Sequence, residues 1–61
     1  MNKQINILQI ASLEPYHTTD STKAIMSNGM SYFLKGSPEY YGELFNKRTN
    51  PFYEITDDNK L

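Results

Sequence analysis

The pair Asn28-Gly29 separates two apolar runs, Ala24-Ile25-Met26-Ser27 and Met30-Ser31-Tyr32-Phe33-Leu34, and sets the strongest local condition on the fold. Asparagine and glycine both tolerate positive φ, which a type I′ turn demands at its two central residues, so this spacing predicts a β-hairpin. A helix is the competing reading. It would be capped by Asp20 or Ser21, end at Gly36 and bury a stripe of Met26, Met30 and Phe33. Ser27-Asn28-Gly29 in its middle would cost about 1 to 2 kcal/mol relative to alanine, which favours the hairpin. With a two-residue loop, Ile25 faces Tyr32. Ile25, Met30, Tyr32 and Leu34 then share one sheet face, and Ala24, Met26 and Phe33 share the other.

The hairpin belongs to a chain of 61 residues without cysteine, so neither a disulfide nor a thiolate metal site can brace it. One small domain is expected, residues 1–61, and at this size association is the remaining means of reinforcement. The net charge of -1 argues against a protein whose affinity comes mainly from neutralising phosphates. The apolar stretch in residues 1–12 is interrupted by Asn6 and Gln9 and is too short for a membrane span or a signal core, which points to a cytoplasmic protein with no membrane partner. Asn, Lys, Ile, Tyr, Phe and Met supply 27 of the residues, a bias toward AT-rich codons that fits a low-GC bacterium or its phage.

Around the hairpin the other elements follow from local pattern. Residues 5–13 carry Ile5, Ile7, Leu8 and Ile10 and read as one strand, while the polar residues 15–22 read as a loop. Ser37-Pro38-Glu39 offers a hydroxyl cap, a proline whose missing N–H costs nothing in the first turn, and an early carboxylate, so a helix is predicted over Pro38–Lys47. Tyr41, Leu44, Phe45 and the stem of Arg48 form its buried stripe, Gly42 weakens it, and Tyr40 lies outward. Asn50-Pro51 stops the helix, Phe52–Ile55 reads as a last strand, and residues 56–61 as a frayed tail. The expected architecture is α+β, a small antiparallel sheet in the order β-β-β-α-β with one helix packed on one face.

One helix covers one face, so apolar residues on both faces of the sheet leave the second available to a protein partner or another copy. Leu8, Met26, Phe33 and Tyr40 are the candidate contacts. Tyrosine suits such a surface because a large apolar ring carries a polar tip. Lys35, Lys47 and Arg48 are the candidates if the partner is instead a nucleic acid.

Ile7-Leu8-Gln9-Ile10, then Met26-Ser27-Asn28-Gly29 with Tyr32 and Leu34, then Lys35-Gly36-Ser37 opening a helix that closes near Leu44-Phe45, and finally Phe52-Tyr53-Glu54-Ile55 resemble the strand, hairpin, helix and final F-x-x-I run of LytTR-type DNA-binding domains. Residues 25–39 are also similar to small FlbD-like flagellar proteins. The LytTR resemblance implies a transcriptional regulator that inserts loops into successive DNA grooves. In place of the basic run that usually follows the last strand of such domains stand Thr56-Asp57-Asp58-Asn59.

No residue pattern points to catalysis. His17, the only histidine, has Asp20 three residues on but neither a second histidine nor a cysteine to complete a metal site. Gly29, Gly36 and Gly42 form no phosphate-binding loop. The sequence is therefore read as that of a small non-enzymatic binding or regulatory protein without cofactor or metal, acting through protein contacts or self-association. The alternatives are a LytTR-like regulator and a phage or virion accessory protein.

Overall fold

The structure, a computed structural model, describes residues 2–61. The hairpin is present, formed by β3 (Thr18–Met26) and β4 (Ser31–Lys35), but its turn is longer than expected. Gly29 N–H donates to the Met26 carbonyl (2.9 Å) and Met26 N–H to the Met30 carbonyl (2.7 Å), enclosing Ser27, Asn28 and Gly29. Only Gly29 has positive φ, at 90°, so the loop is a type I turn followed by a left-handed glycine rather than type I′. Asn28 Oδ1 accepts Met30 N–H at 3.0 Å, which fastens the turn.

One extra loop residue moves every pairing by one. Tyr32 faces Ala24 instead of Ile25, and Thr22 faces Leu34. Since strand side chains alternate, this gathers Ala24, Met26, Tyr32 and Leu34 on the inner face and leaves Ile25 and Phe33 outside. The expected division is thereby corrected. Apolar side chains concentrate inward, and Met26, at 8% exposure, belongs to the core rather than to a contact surface.

The predicted strand over residues 5–13 is two strands. β1 (Lys3–Asn6) ends where Asn6 Oδ1 accepts Leu8 N–H (3.0 Å) and caps a single 3₁₀ turn, Ile7–Gln9, after which β2 (Ile10–Tyr16) begins. The turn redirects the chain, so β1 pairs with β5 (Phe52–Ile55) while β2 pairs with β3, giving two antiparallel sheets, β1-β5 and β2-β3-β4. Residues 15–22 form the tip of the β2-β3 hairpin instead of an open loop. His17 reverses the chain at φ 62°, and the threonines that follow, polar yet β-branched, enter β3.

Helix α1 (Pro38–Lys47) and β5 lie where the sequence places them. Ser37 caps the helix, its Oγ accepting Tyr40 N–H at 3.1 Å. Tyr41, 1% exposed, lies across the core between the sheets with Ile5, Ala24, Met26, Leu34 and Ile55. Its hydroxyl donates to the Lys35 carbonyl, and the buried Thr22 hydroxyl donates to the Gly36 carbonyl (2.7 Å), so two polar bonds tie the helix approach to the sheet. Gly36 sits at φ 115°, and a Cβ there would come within 3.2 Å of the Tyr41 ring.

The tail is ordered rather than frayed. Asn59 Oδ1 accepts Thr56 N–H (2.8 Å), and its Nδ2 donates to the Tyr53 hydroxyl (2.8 Å), folding the chain back. Lys60 then pairs with Leu34, while Lys35 N–H donates to the Asn59 carbonyl (2.8 Å) and Leu61 N–H to the Phe33 carbonyl (3.0 Å). This return covers part of the β4 edge that would otherwise offer unpaired backbone groups.

Candidate functional surface

Three of the four expected contact residues are exposed, on different parts of the fold. Phe33, 37% exposed, stands on the outer face of β2-β3-β4 with its ring tilted against that of Tyr16, ring centroids 4.5 Å apart. Tyr40, 56% exposed, lies in the first turn of α1 with its ring edge-on to Tyr41. Leu8, 76% exposed, projects from the 3₁₀ turn. That turn is held by the Asn6 cap at one end and by Ile10 N–H donating to the Ile7 carbonyl at the other, so Leu8 is presented on a braced segment.

Leu8 lines, with Ile7, Ile10, Leu13, Phe45 and the exposed Gly42 and Asn46, a shallow recess of about 290 Å³. It lies where the first half of β2 meets the middle and end of α1, and Gly42 brings no side chain to it. A Cβ built at Gly42 meets nothing within 4 Å, and the residue has helical geometry, so neither packing nor backbone conformation in this chain requires glycine there. Yet glycine in a helix interior costs about 1 kcal/mol relative to alanine. Two further recesses lie between β1 and β4 and are more polar, with Lys3, Gln4, Asn6 and Gln9 on one and Lys3 and Lys60 on the other. Of these three the Leu8 recess is the most uniformly apolar, and the sequence reading missed it because it joins residues 7–13 to residues 42–46. The legible signal was a glycine inside an otherwise amphipathic helix.

The basic candidates stand differently. Lys35 and Lys47 are exposed. Arg48 is half-buried and engaged within the chain: Nη2 donates to the Phe52 carbonyl (2.7 Å), Nε to the Asn50 carbonyl (3.4 Å), and the guanidinium lies 5.5 Å from the Tyr53 ring centre. It clasps the α1-β5 connection. His17 is exposed, its ring 4.1 Å from that of Tyr16. Among the described residues no three of His, Cys, Asp and Glu converge as a metal site would require, and no helix is long and apolar enough to cross a membrane.

Burial, reinforced by Tyr53 and Tyr40, pushes the Tyr41 hydroxyl well above the usual phenol range. Its place inside the core, donating to Lys35, makes it a structural group. No family model, curated protein or solved structure matches the chain.

Proposed function

We propose that this chain is a small non-enzymatic binding protein that works by self-association through the surface around Leu8. The observation that carries the reading is Gly42, a helix-interior glycine that the monomer does not require, lining a shallow apolar recess together with an exposed leucine on a braced turn. A glycine kept at a cost in helix stability is accounted for when another surface approaches the helix backbone there.

A second copy is the occupant that best fits. Knob and recess lie side by side on one face, so a two-fold arrangement lets the Leu8 of each copy enter the recess of the other, as an isologous contact requires. The residues lining the recess are uncharged, so bringing two such surfaces together sets no like charges against each other. A standard interface takes about 800 Å² from each partner, which for a chain exposing 4230 Å² is within reach of one face.

Sedimentation velocity over about a hundredfold concentration range tests this, because mass action makes a dimer fraction depend on concentration. A sedimentation coefficient rising from that of a monomer to that of a dimer is expected. A coefficient that stays monomeric throughout refutes self-association and leaves the same surface to a different protein.

A further inference from the structure

We propose that Asn28 is a site of spontaneous covalent modification, deamidating through a cyclic imide to aspartate and isoaspartate, and that the isoaspartate product loosens the β3-β4 hairpin. The inference is independent of self-association. Of the six asparagines only Asn28 precedes glycine; Asn50 precedes Pro51, which has no N–H to deprotonate, and the other four precede residues with side chains. Gly29 has no Cβ to hinder its nitrogen from reaching the neighbouring amide carbon, and both residues are exposed at the hairpin tip.

The step balances without any added oxidant or cofactor. The Gly29 nitrogen gives up its proton to solvent base and attacks Asn28 Cγ; a C–N bond forms and the side-chain nitrogen leaves as ammonia, taking up a proton. Water then opens the imide at one of its two carbonyls. Opening at the original backbone carbonyl routes the chain through the former side chain, giving isoaspartate, with one extra methylene in the backbone and a new carboxylate.

In the folded loop two hydrogen bonds resist this step. Gly29 N–H, the proton that must leave, is donated to the Met26 carbonyl (2.9 Å), and Asn28 Oδ1 is held by Met30 N–H (3.0 Å). Both lie at a solvent-exposed tip, where local opening has a small free energy, so the turn slows the reaction without preventing it. The consequence follows from register. Loop length fixes which β3 residue faces which β4 residue, and Ala24 faces Tyr32 only with three loop residues of ordinary backbone length. The tip is also tied to the 3₁₀ turn by Ser27 N–H to the Gln9 carbonyl (2.7 Å) and by Ser27 Oγ to Gln9 Oε1 (2.8 Å), so the distortion reaches that segment.

The test incubates the full folded chain at neutral and mildly alkaline pH and follows the tryptic peptide of residues 24–35 by mass, with isoaspartate identified by fragmentation. The urea-unfolded chain and Asn28→Ser run in parallel. Expected are a one-dalton gain in that peptide, faster at higher pH and faster again in urea, its absence in Asn28→Ser, and a lowered melting temperature of the purified isoaspartyl form. If the folded chain gains no mass over a period in which the unfolded chain converts fully, or if the isoaspartyl form melts like the unmodified one, the proposal is overturned.

Discussion

Replacing Gly42 with alanine is expected to stabilise the isolated chain while weakening its self-association. Residue 42 is in the interior of α1, so the substitution gains helix propensity and lowers the entropy of the unfolded chain, together about 0.4 to 1 kcal/mol. The new methyl meets nothing within 4 Å, so no steric cost offsets this gain. For a domain of this size each kcal/mol moves the melting temperature by roughly 4 to 8 °C, so a rise of about 2 to 8 °C is expected. In the proposed association the same methyl would stand in the lining of the recess meant to receive Leu8, and overfilling a packed contact costs about 1 to 3 kcal/mol. At about 1.4 kcal/mol per tenfold, the dissociation constant rises roughly 5- to 150-fold. Thermal melts at concentrations where both proteins are monomeric isolate the first effect, since dimerisation itself raises apparent stability; sedimentation velocity gives the second. A lowered melting temperature would mean that the helix needs glycine for its own packing. A higher one with unchanged association would remove Gly42 from the interface.

Further expectations concern the bonds that hold the fold. The Tyr41 hydroxyl stays protonated in the folded chain to a higher pH than in the unfolded one, where tyrosine titrates near 10, so the folded state binds more protons above that pH; stability is full below about pH 10 and falls by up to about 1.4 kcal/mol per pH unit above it. Urea melts of the native chain and Tyr41→Phe should show this alkaline slope reduced in the variant, and equal slopes would refute the assignment. Thr22→Val keeps the side-chain shape but leaves the Gly36 carbonyl without its donor, and is expected to cost about 1 to 3 kcal/mol in denaturant unfolding, whereas a neutral result would mean that water takes over the bond. Arg48→Ala should lose about 1 to 2 kcal/mol through the released α1-β5 connection, while any DNA affinity it carried would show instead as a steep salt dependence of binding.

The elements that the sequence made legible are those whose signals are local. Ser37-Pro38-Glu39 marks the start of α1, Asn50-Pro51 marks its stop, and Phe52–Ile55 reads as β5 because nothing beyond a few neighbours decides these features. Register was not legible, because Asn-Gly serves both a two-residue turn with asparagine at positive φ and a three-residue loop with only glycine there. The choice between them turned the β3 side chains over relative to those of β4, sending Ile25 outward and moving Met26 from a surface candidate into the core. The 3₁₀ turn depends on one side-chain bond from Asn6, and the ordered tail on Asn59 reaching Tyr53, contacts that composition and periodicity do not encode. Leu8 was named as a contact from the alternation of a single strand, whereas it is exposed because of the 3₁₀ turn; its recess was not legible, since Gly42 and Phe45 reach it only through the tertiary fold.

The most direct test of the association surface is sedimentation velocity on Leu8→Glu and Phe33→Glu beside the native chain, at a concentration where the native chain is dimeric. Leu8 is 76% exposed, so its substitution should leave the melting temperature nearly unchanged. A charge inserted into an apolar recess without a partner is strongly unfavourable. The account predicts that Leu8→Glu sediments as a folded monomer while Phe33→Glu remains dimeric. A dimeric Leu8→Glu together with a monomeric, folded Phe33→Glu would contradict it and move the interface to the outer face of β2-β3-β4.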